Sequence, residues 1–469
     1  MNNSKKVWQG INEIIYNKFS KTNEAIFLDD NGNIITDQKA VANRFNKFYT
    51  TIADKLVTKL GKPATKFQDY LKNPNEHSIF LNETEPGEVA TLMSKLNTSK
   101  SGDIYGITPR LIKEAGPSMA INLSIIFNIC LSTGIFPQLL KTAKVIPIYK
   151  AESRMLASNY RPISLLPIIG KLFEKLLFTR LTSFIQKYNI LYDRQYGFQS
   201  AKSTEHAVID IQERVLNALD KKEWPCCIFL DFAKAFDTVN HSILLQKLNH
   251  YGIRGKALEL IESYLWGREQ CVQVSDTTSD LNLIKHGVPQ GSILGPLFFL
   301  LYINDIANCS SLLNFYLFAD DTTIFFAHKD INTVEQTINK ELVHVSNWLV
   351  ANKLSLNVGK SCALLFRQKN DKSIPALNIT INGLPIDEKE FAKYLGILID
   401  NKLTFSKHIQ HIRTKLNKGN AILSMVRHYL PKKTLLNTYN AQIQPHIDYG
   451  KHLGTYLQEP PNPTLQTTT

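Results

Sequence analysis

Phe315-Tyr316-Leu317-Phe318-Ala319-Asp320-Asp321-Thr322-Thr323-Ile324-Phe325-Phe326 sets two adjacent acids between two apolar runs. Aromatic and β-branched residues suit a pleated, half-buried surface while Asp is depleted from it, so the acids interrupt a pair of strands. A two-residue connection makes the stretch a hairpin with carboxylates at its tip. Taken alone, an Asp-Asp pair is an exposed turn. A second run changes that reading: Cys226-Cys227-Ile228-Phe229-Leu230-Asp231 is again an apolar strand closed by an acid. Two such strand ends side by side in one sheet bring Asp231 and Asp320 together, an arrangement that demands a cation. Hard divalent cations take oxygen ligands and keep positions for water and phosphate, so two or three carboxylates suffice. A pair of such ions can activate a 3′-hydroxyl and steady a leaving pyrophosphate, which is nucleotidyl-transfer chemistry.

Outward from this centre, short β-rich runs between Trp224 and Thr404 alternate with helical patterns such as Thr333 to Trp348, an α+β core. Ahead of it, Val145 to Tyr149 reads as a short strand and Pro86 to Gly134 as helical. Val41, Phe45, Phe48, Ile52 and Leu56 recur at helical spacing, which predicts one amphipathic helix. Gly61, Pro63 and the polar stretch Lys72 to His77 read as a linker. Behind the core, Ser406 to His446 holds two helical stretches parted by Leu430-Pro431 and carrying Lys407, Arg413, Lys415, Lys418, Arg427, Lys432 and Lys433. The end, Glu459 to Thr469, has almost nothing to bury and reads as a disordered tail.

The whole chain of 469 residues carries 54 Lys and Arg against 41 acids, a net +13 that suits a densely anionic partner such as nucleic acid or an anionic membrane. With 43% hydrophobic and 20% charged residues, a wholly disordered or fibrous class is excluded. Six cysteines without a Cys-x-x-Cys pair or zinc-ligand spacing argue against structural zinc and for reduced, buried thiols in an intracellular protein. Met1 to Gly10 lacks the apolar core of a signal peptide, and no uninterrupted apolar run reaches the roughly 18 residues of a membrane span. The longest, Ile293 to Ile303, reads as a buried helix, and no membrane partner is expected.

The motifs, taken in order, resemble those of reverse transcriptases, and among them the polymerases of non-LTR, jockey-like retrotransposons, over roughly residues 90 to 450. Ile146-Pro147-Ile148-Tyr149-Lys150 and Asn159-Tyr160-Arg161-Pro162-Ile163-Ser164-Leu165 are similar to the fingers segment that meets the incoming nucleotide; the resemblance assigns its triphosphate to Lys150 and Arg161. Gln195-Tyr196-Gly197-Phe198 with Ser203-Thr204-Glu205-His206 looks like the next block, along the template, although Gln199 stands where the family often has Arg. Phe229 to Asp237 resembles the first palm motif, with Asp231 and the Phe232 carbonyl as metal ligands and Phe236 as a steric gate against a ribose 2′-hydroxyl. By itself Phe236 reads equally as core. His286 to Leu297 looks like the second palm motif, whose Gln290 would fix the nascent base pair or sugar. Phe318-Ala319-Asp320-Asp321 fits the third, with Asp320 and Asp321 as metal ligands. Asn357-Val358-Gly359-Lys360-Ser361 is similar to the fourth, where Lys360 is either a general acid toward pyrophosphate or an exposed turn residue. Lys393-Tyr394-Leu395-Gly396-Ile397 matches a primer grip built on Tyr394, Leu395 and Gly396.

The resemblance implies a right-hand polymerase of α+β class: an N-terminal helical extension and linker (1–75), a fingers extension (76–140), fingers (141–223), palm (224–404), a helical thumb (405–450), possible truncation there, and a disordered tail (451–469). It implies two Mg2+ ions, Mn2+ being an alternative, an RNA template, a DNA primer and dNTPs, in nucleus or cytoplasm. A complete retrotransposon protein of this kind usually carries a DNA-nicking domain, and no endonuclease-like segment, ribonuclease H region or Cys/His knuckle is legible here, so a fragment or separated product is expected. The alternatives are an inactive relic that only binds nucleic acid, and an intron-maturase or telomerase-like relative; Leu297 to Ile306 favours the LINE-type branch.

Overall fold

A computed structural model describes residues 27–28, 32–99, 102–150, 152–368 and 376–451. The expectations for the first residues and for the tail fall outside them. Helix α1 (Gln38–Val57) starts at Asp37, whose carboxylate accepts from the Ala40 N–H at 2.7 Å, and buries Val41, Phe45 and Ala53, the face anticipated from the spacing. The stretch expected as a linker is irregular but fastened down. Phe67 sits in a short 3-10 turn within the core, and the Asn75 N–H donates to the His250 carbonyl at 3.0 Å. Phe67, with Tyr70 and Leu71 packed half-buried beside it, anchors the stretch to the core.

Helices α2 (Pro86–Ser94), α3 (Pro109–Glu114) and α4 (Gly116–Thr133) each carry Pro in the first turn, where its missing N–H leaves no broken bond. At 18 residues α4 is long and apolar enough to cross a membrane, a candidate that a search for uninterrupted apolar runs passes over. Its Leu123, Phe127 and Cys130 pack into the core, while Ile121, Ile125 and Ile129 stay exposed.

Strands β1 (Ala143–Tyr149) and β2 (Tyr160–Leu165) form an antiparallel hairpin with Tyr149 opposite Tyr160. Helices α5 (Ile168–Lys187) and α6 (Thr204–Asp220) lead to β3 (Trp224–Leu230), α7 (His241–His250) and α8 (Lys256–Leu265). Strand β4 (Glu269–Val274) then returns to pair in parallel with β1, completing a peripheral sheet on which α1 packs. Helix α9 (Leu294–Ile303) is buried almost all round, as expected of an apolar run too short to span a bilayer. Beyond it, β5 (Asn314–Phe318) and β6 (Asp321–His328) form the acid-bearing hairpin, followed by helix α10 (Ile331–Ala351) and β7 (Cys362–Leu365).

The central sheet runs in the order β8 (Asp387–Glu388), β7, β3, β6, β5, so the two acid-bearing strands β3 and β6 are antiparallel neighbours at its middle. A separate hairpin of β9 (Phe391–Tyr394) and β10 (Ile397–Asp400) stands beside it, and helices α11 (Ser406–Val426) and α12 (Lys432–Gln442) follow. A buried ion pair between Lys247 of α7 and Asp305, with the Trp348 indole N–H donating to the same carboxylate at 3.0 Å, ties the helical layer together beneath the sheet.

Candidate active site

In the central sheet Leu230 faces Thr322, so Asp231, one residue on, comes level with Asp321. Phe318 pairs with Asp321, which makes the turn Ala319-Asp320 rather than Asp320-Asp321. Asp320 therefore sits in the turn, and Asp321 begins the returning strand. Ala319 takes a left-handed φ of 55°, a conformation that costs a non-glycine residue about 1 kcal/mol or more. The three carboxylates strain against one another. Asp320 titrates above the ordinary carboxylate range through burial and the nearby Asp231, and Asp321 is pushed up to about 6 by burial and by Asp320 and Asp231. Among the described residues no group of three His, Cys, Asp or Glu is placed to hold a metal ion, these three acids included, so they do not all converge on one point. An all-oxygen cluster of repelling acids, open on one side, fits a hard cation that takes its remaining ligands from water and phosphate.

Asp231 is anchored by its backbone: its N–H donates to Ser361 Oγ at 3.2 Å and its carbonyl accepts from Asn357 N at 2.8 Å. The 357–361 segment that resembles a fourth motif thus borders the first. Ala233 N to Ser355 O, at 2.8 Å, closes the other side of a bridge between Phe232 and Leu356. Phe232 is a non-hydrogen-bonded position there, so its own carbonyl points away from that neighbour, while its ring is buried.

Two cations act on the acids directly; Lys234 neighbours both, and Lys360 neighbours Lys234. Lys150 and Arg161, which the β1–β2 hairpin carries, act on Asp320 against its upward shift. The Lys234 ammonium is held below its usual range by burial, with Lys150, Arg161 and Lys360 adding like-charge repulsion and Asp237 opposing it. Gln290 lies between: its side-chain N–H donates to Asp237 Oδ1 at 2.8 Å, and its carbonyl accepts from Ser164 N of β2 at 2.7 Å. Gly291, at φ 117°, lies so close to β2 that an added Cβ would stand 2.7 Å from the Ser164 carbonyl. The Phe236 ring stacks on Phe299 at 4.6 Å, with Phe198 edge-on at 6.5 Å. Tyr394, Leu395 and Gly396 turn the β9–β10 hairpin at the rim of a cavity of about 240 Å³ shared with Asp321, Thr322 and Thr323. They meet the acids only across that cleft.

Two contributions were not read from the sequence, the first of them made by a residue inside the template-side block. Gln195 is fully buried, and its Oε1 accepts from both Gly197 N, at 2.9 Å, and Ala319 N, at 3.1 Å, so a residue far along the chain holds the left-handed turn. Gly197 is pressed so hard against the turn that a Cβ would sit 2.5 Å from Ala319 N. That glycine is the one sequence signal that could have pointed there. Gln199, the departure from the family pattern, folds its amide back onto the Gln195 carbonyl. The second contributor is Tyr449, whose hydroxyl donates to the Leu395 carbonyl while Gly450 N donates to Glu205 Oε1 at 2.9 Å.

The profile of the family described as reverse transcriptase (RNA-dependent DNA polymerase) matches residues 148–399, more than half of the chain. The chain belongs to the reverse transcriptase family. This reverse transcriptase chain is 30% identical over 392 residues to the RNA-directed DNA polymerase from mobile element jockey of Drosophila funebris, covering 81% of the chain and 42% of the relative. It is 29% identical over 396 residues to the probable RNA-directed DNA polymerase from transposon X-element of Drosophila melanogaster, covering 82% and 43%. A similar match, 29% over 357 residues, covers 73% of the chain and 38% of the probable polymerase from transposon BS of the same fly. The jockey-like resemblance carried by the motifs is borne out. The chain spans about two fifths of the length of these relatives, 38 to 43%. Polymerases of this family generally use divalent metals.

Proposed function

We propose that this chain is the RNA-directed DNA polymerase of a non-LTR mobile element and adds a deoxynucleotide to the 3′-hydroxyl of a DNA primer on an RNA template. The observation that carries the reading is the cluster of Asp231, Asp320 and Asp321 within electrostatic reach of Lys150 and Arg161, which together with Lys360 crowd Lys234. A polyphosphate and a hydroxyl nucleophile need these two signs of charge at close quarters. In this reading residues 141–223 are fingers, 224–404 palm and 405–450 thumb.

Asp231, Asp320 and Asp321, with the Phe232 carbonyl, would hold magnesium, two ions, or manganese in its place; when bound, these cations make the primer hydroxyl more acidic and neutralise charge on the pyrophosphate. Arg161 offers two parallel N–H donors to phosphate oxygens and Lys150 a point charge. The Phe236 ring fills the space a 2′-hydroxyl would need. Gln290, steadied by Asp237, sets the sugar and nascent base pair, and Lys360 hands a proton to the departing pyrophosphate. The Tyr394-Leu395-Gly396 turn holds the primer end across the cleft from Asp321. Lys407, Arg413, Lys415 and Lys418 of α11 lie along the duplex backbone, a contact that orients without reading sequence.

Primer extension on an RNA template with magnesium tests this. The wild-type chain extends, whereas Asp320→Ala loses roughly a thousandfold or more of the rate while keeping its template–primer affinity. Undiminished synthesis by Asp320→Ala overturns the site; wild-type binding without synthesis leaves only a nucleic-acid-binding protein.

A further inference from the structure

Helix α1 lies upstream of the segment that matches the reverse transcriptase family, yet it touches three pieces of the site. The Phe45 ring meets Tyr160 edge-on at 5.0 Å, and Tyr160 meets Tyr149 at 5.5 Å. These two tyrosines are the cross-strand pair beside Lys150 and Arg161. The Phe48 ring lies 5.7 Å from the Lys234 ammonium, in the loop between Asp231 and Phe236, and that lysine takes a left-handed φ of 52°. Nearly two turns further along, Asp54 Oδ1 is 2.9 Å from His286 Nε2, at the head of the segment that carries Gln290. The helix also packs on the 3-10 turn Ala235–Asp237. Between these contacts Tyr49 buries a hydroxyl that has no hydrogen-bond partner among the described residues. Burial, first, and the Asp237 charge, second, raise that hydroxyl's pKa, as expected of a group set close to the gate loop.

We propose that α1 is a wall of the nucleotide site, and that Phe48 is a positioning residue which presets Lys234 for the triphosphate of the incoming nucleotide. Lys234 is crowded by three like charges, and an aromatic face is one of the few neighbours that attracts an ammonium without neutralising it. Held there, the lysine needs no rearrangement when a polyphosphate arrives. With the ring removed, only the long 3.5 Å contact to the Ser158 carbonyl and the Asp237 charge still hold Lys234, so it is set less firmly beside Lys150 and Arg161 and nucleotide binding must restore it. The contact therefore acts on nucleotide affinity, while the chemistry at Asp320 is untouched. This inference rests on the polymerase reading above.

The test uses the full chain on an RNA template, with two readouts: steady-state extension, and equilibrium uptake of dTTP by the complex whose primer ends in a dideoxynucleotide, where no bond can form. Phe48→Ala is expected to raise both the KM and the dissociation constant for dTTP about fivefold, with the saturating rate and the template–primer affinity unchanged. Phe48→Trp, which keeps a π face over the ammonium, restores both; Phe48→Leu, which keeps only bulk, does not. A loss of stability alone lowers the active fraction and leaves KM where it was. If wild-type chain extends primers and Phe48→Ala takes up dTTP as tightly, the inference fails and the polymerase reading stands. Wild-type chain that neither extends nor takes up dTTP overturns both.

Discussion

One face of Phe236 is already committed, stacked on Phe299 at 4.6 Å. The two readings the sequence left open, core residue and gate, are thus not exclusive: packing against α9 is what would hold the ring rigid enough to exclude a hydroxyl. Phe236→Val should do two separable things. Ribonucleotide incorporation should rise by at least about tenfold relative to deoxynucleotide, since shape alone discriminates such a pair. Stability should fall by about 1–2 kcal/mol, less than the ~3–5 kcal/mol of a fully buried Phe cut to Ala, because this ring is only partly buried. Competitive incorporation and a thermal melt measure the two effects. A lower melting temperature with unchanged sugar discrimination would reduce Phe236 to core.

At the scale of elements, the β5–β6 turn depends on a segment that is not its neighbour. Replacing Gln195 by Met keeps the volume and removes the acceptor, leaving the N–H groups of Gly197 and Ala319 unsatisfied, each at about 1–3 kcal/mol if nothing relaxes. Asp320 should then wander. The magnesium concentration for half-maximal extension is expected to rise about tenfold in Gln195→Met, with KM for dNTP held; an unchanged magnesium requirement would exclude Gln195 from positioning the turn. This contact also marks where legibility in the sequence stops. The apolar strands, their terminal acids and the amphipathic α1 were readable because alternation and helical spacing are local properties of the chain. The tip of the hairpin was displaced by one residue because register is set by cross-strand pairing, here Phe318 with Asp321. The Gln195 contact to Ala319 spans 124 positions, and nothing in either segment announces the other. The same holds for α1 against the loop at Lys234, and for the polar stretch around Phe67, whose single buried ring composition averages away.

For the molecule as a whole, folding stability should depend on pH through groups that are buried without charge. His241 is enclosed, with Nε2 2.8 Å from the Gly287 carbonyl, and burial lowers its pKa from 6.5 to about 4. Its unfolded form therefore binds a proton first as pH falls, so its contribution is complete above pH 6.5 and is lost as pH falls toward 4, a change on the order of 3 kcal/mol. Glu174, whose pKa burial raises, works in the opposite sense. The telling quantity is hence a difference: denaturant unfolding of wild type and His241→Gln between pH 4 and 6.5 should show the variant losing less stability, and parallel curves would mean the imidazole titrates freely. The seam at Gln195 has one more effect at this scale. Strand β5 is the outer strand of the central sheet, and the backbone around Gln195 lies along it in parallel, with Tyr196 N donating to Leu317 O at 2.7 Å and Leu317 N to Arg194 O at 2.9 Å. A bare outer strand invites a second copy to zip on, the first step toward aggregates. Here the outward N–H and C=O of Leu317 are already bonded, so the segment that steadies the turn also blunts that rim against a second copy.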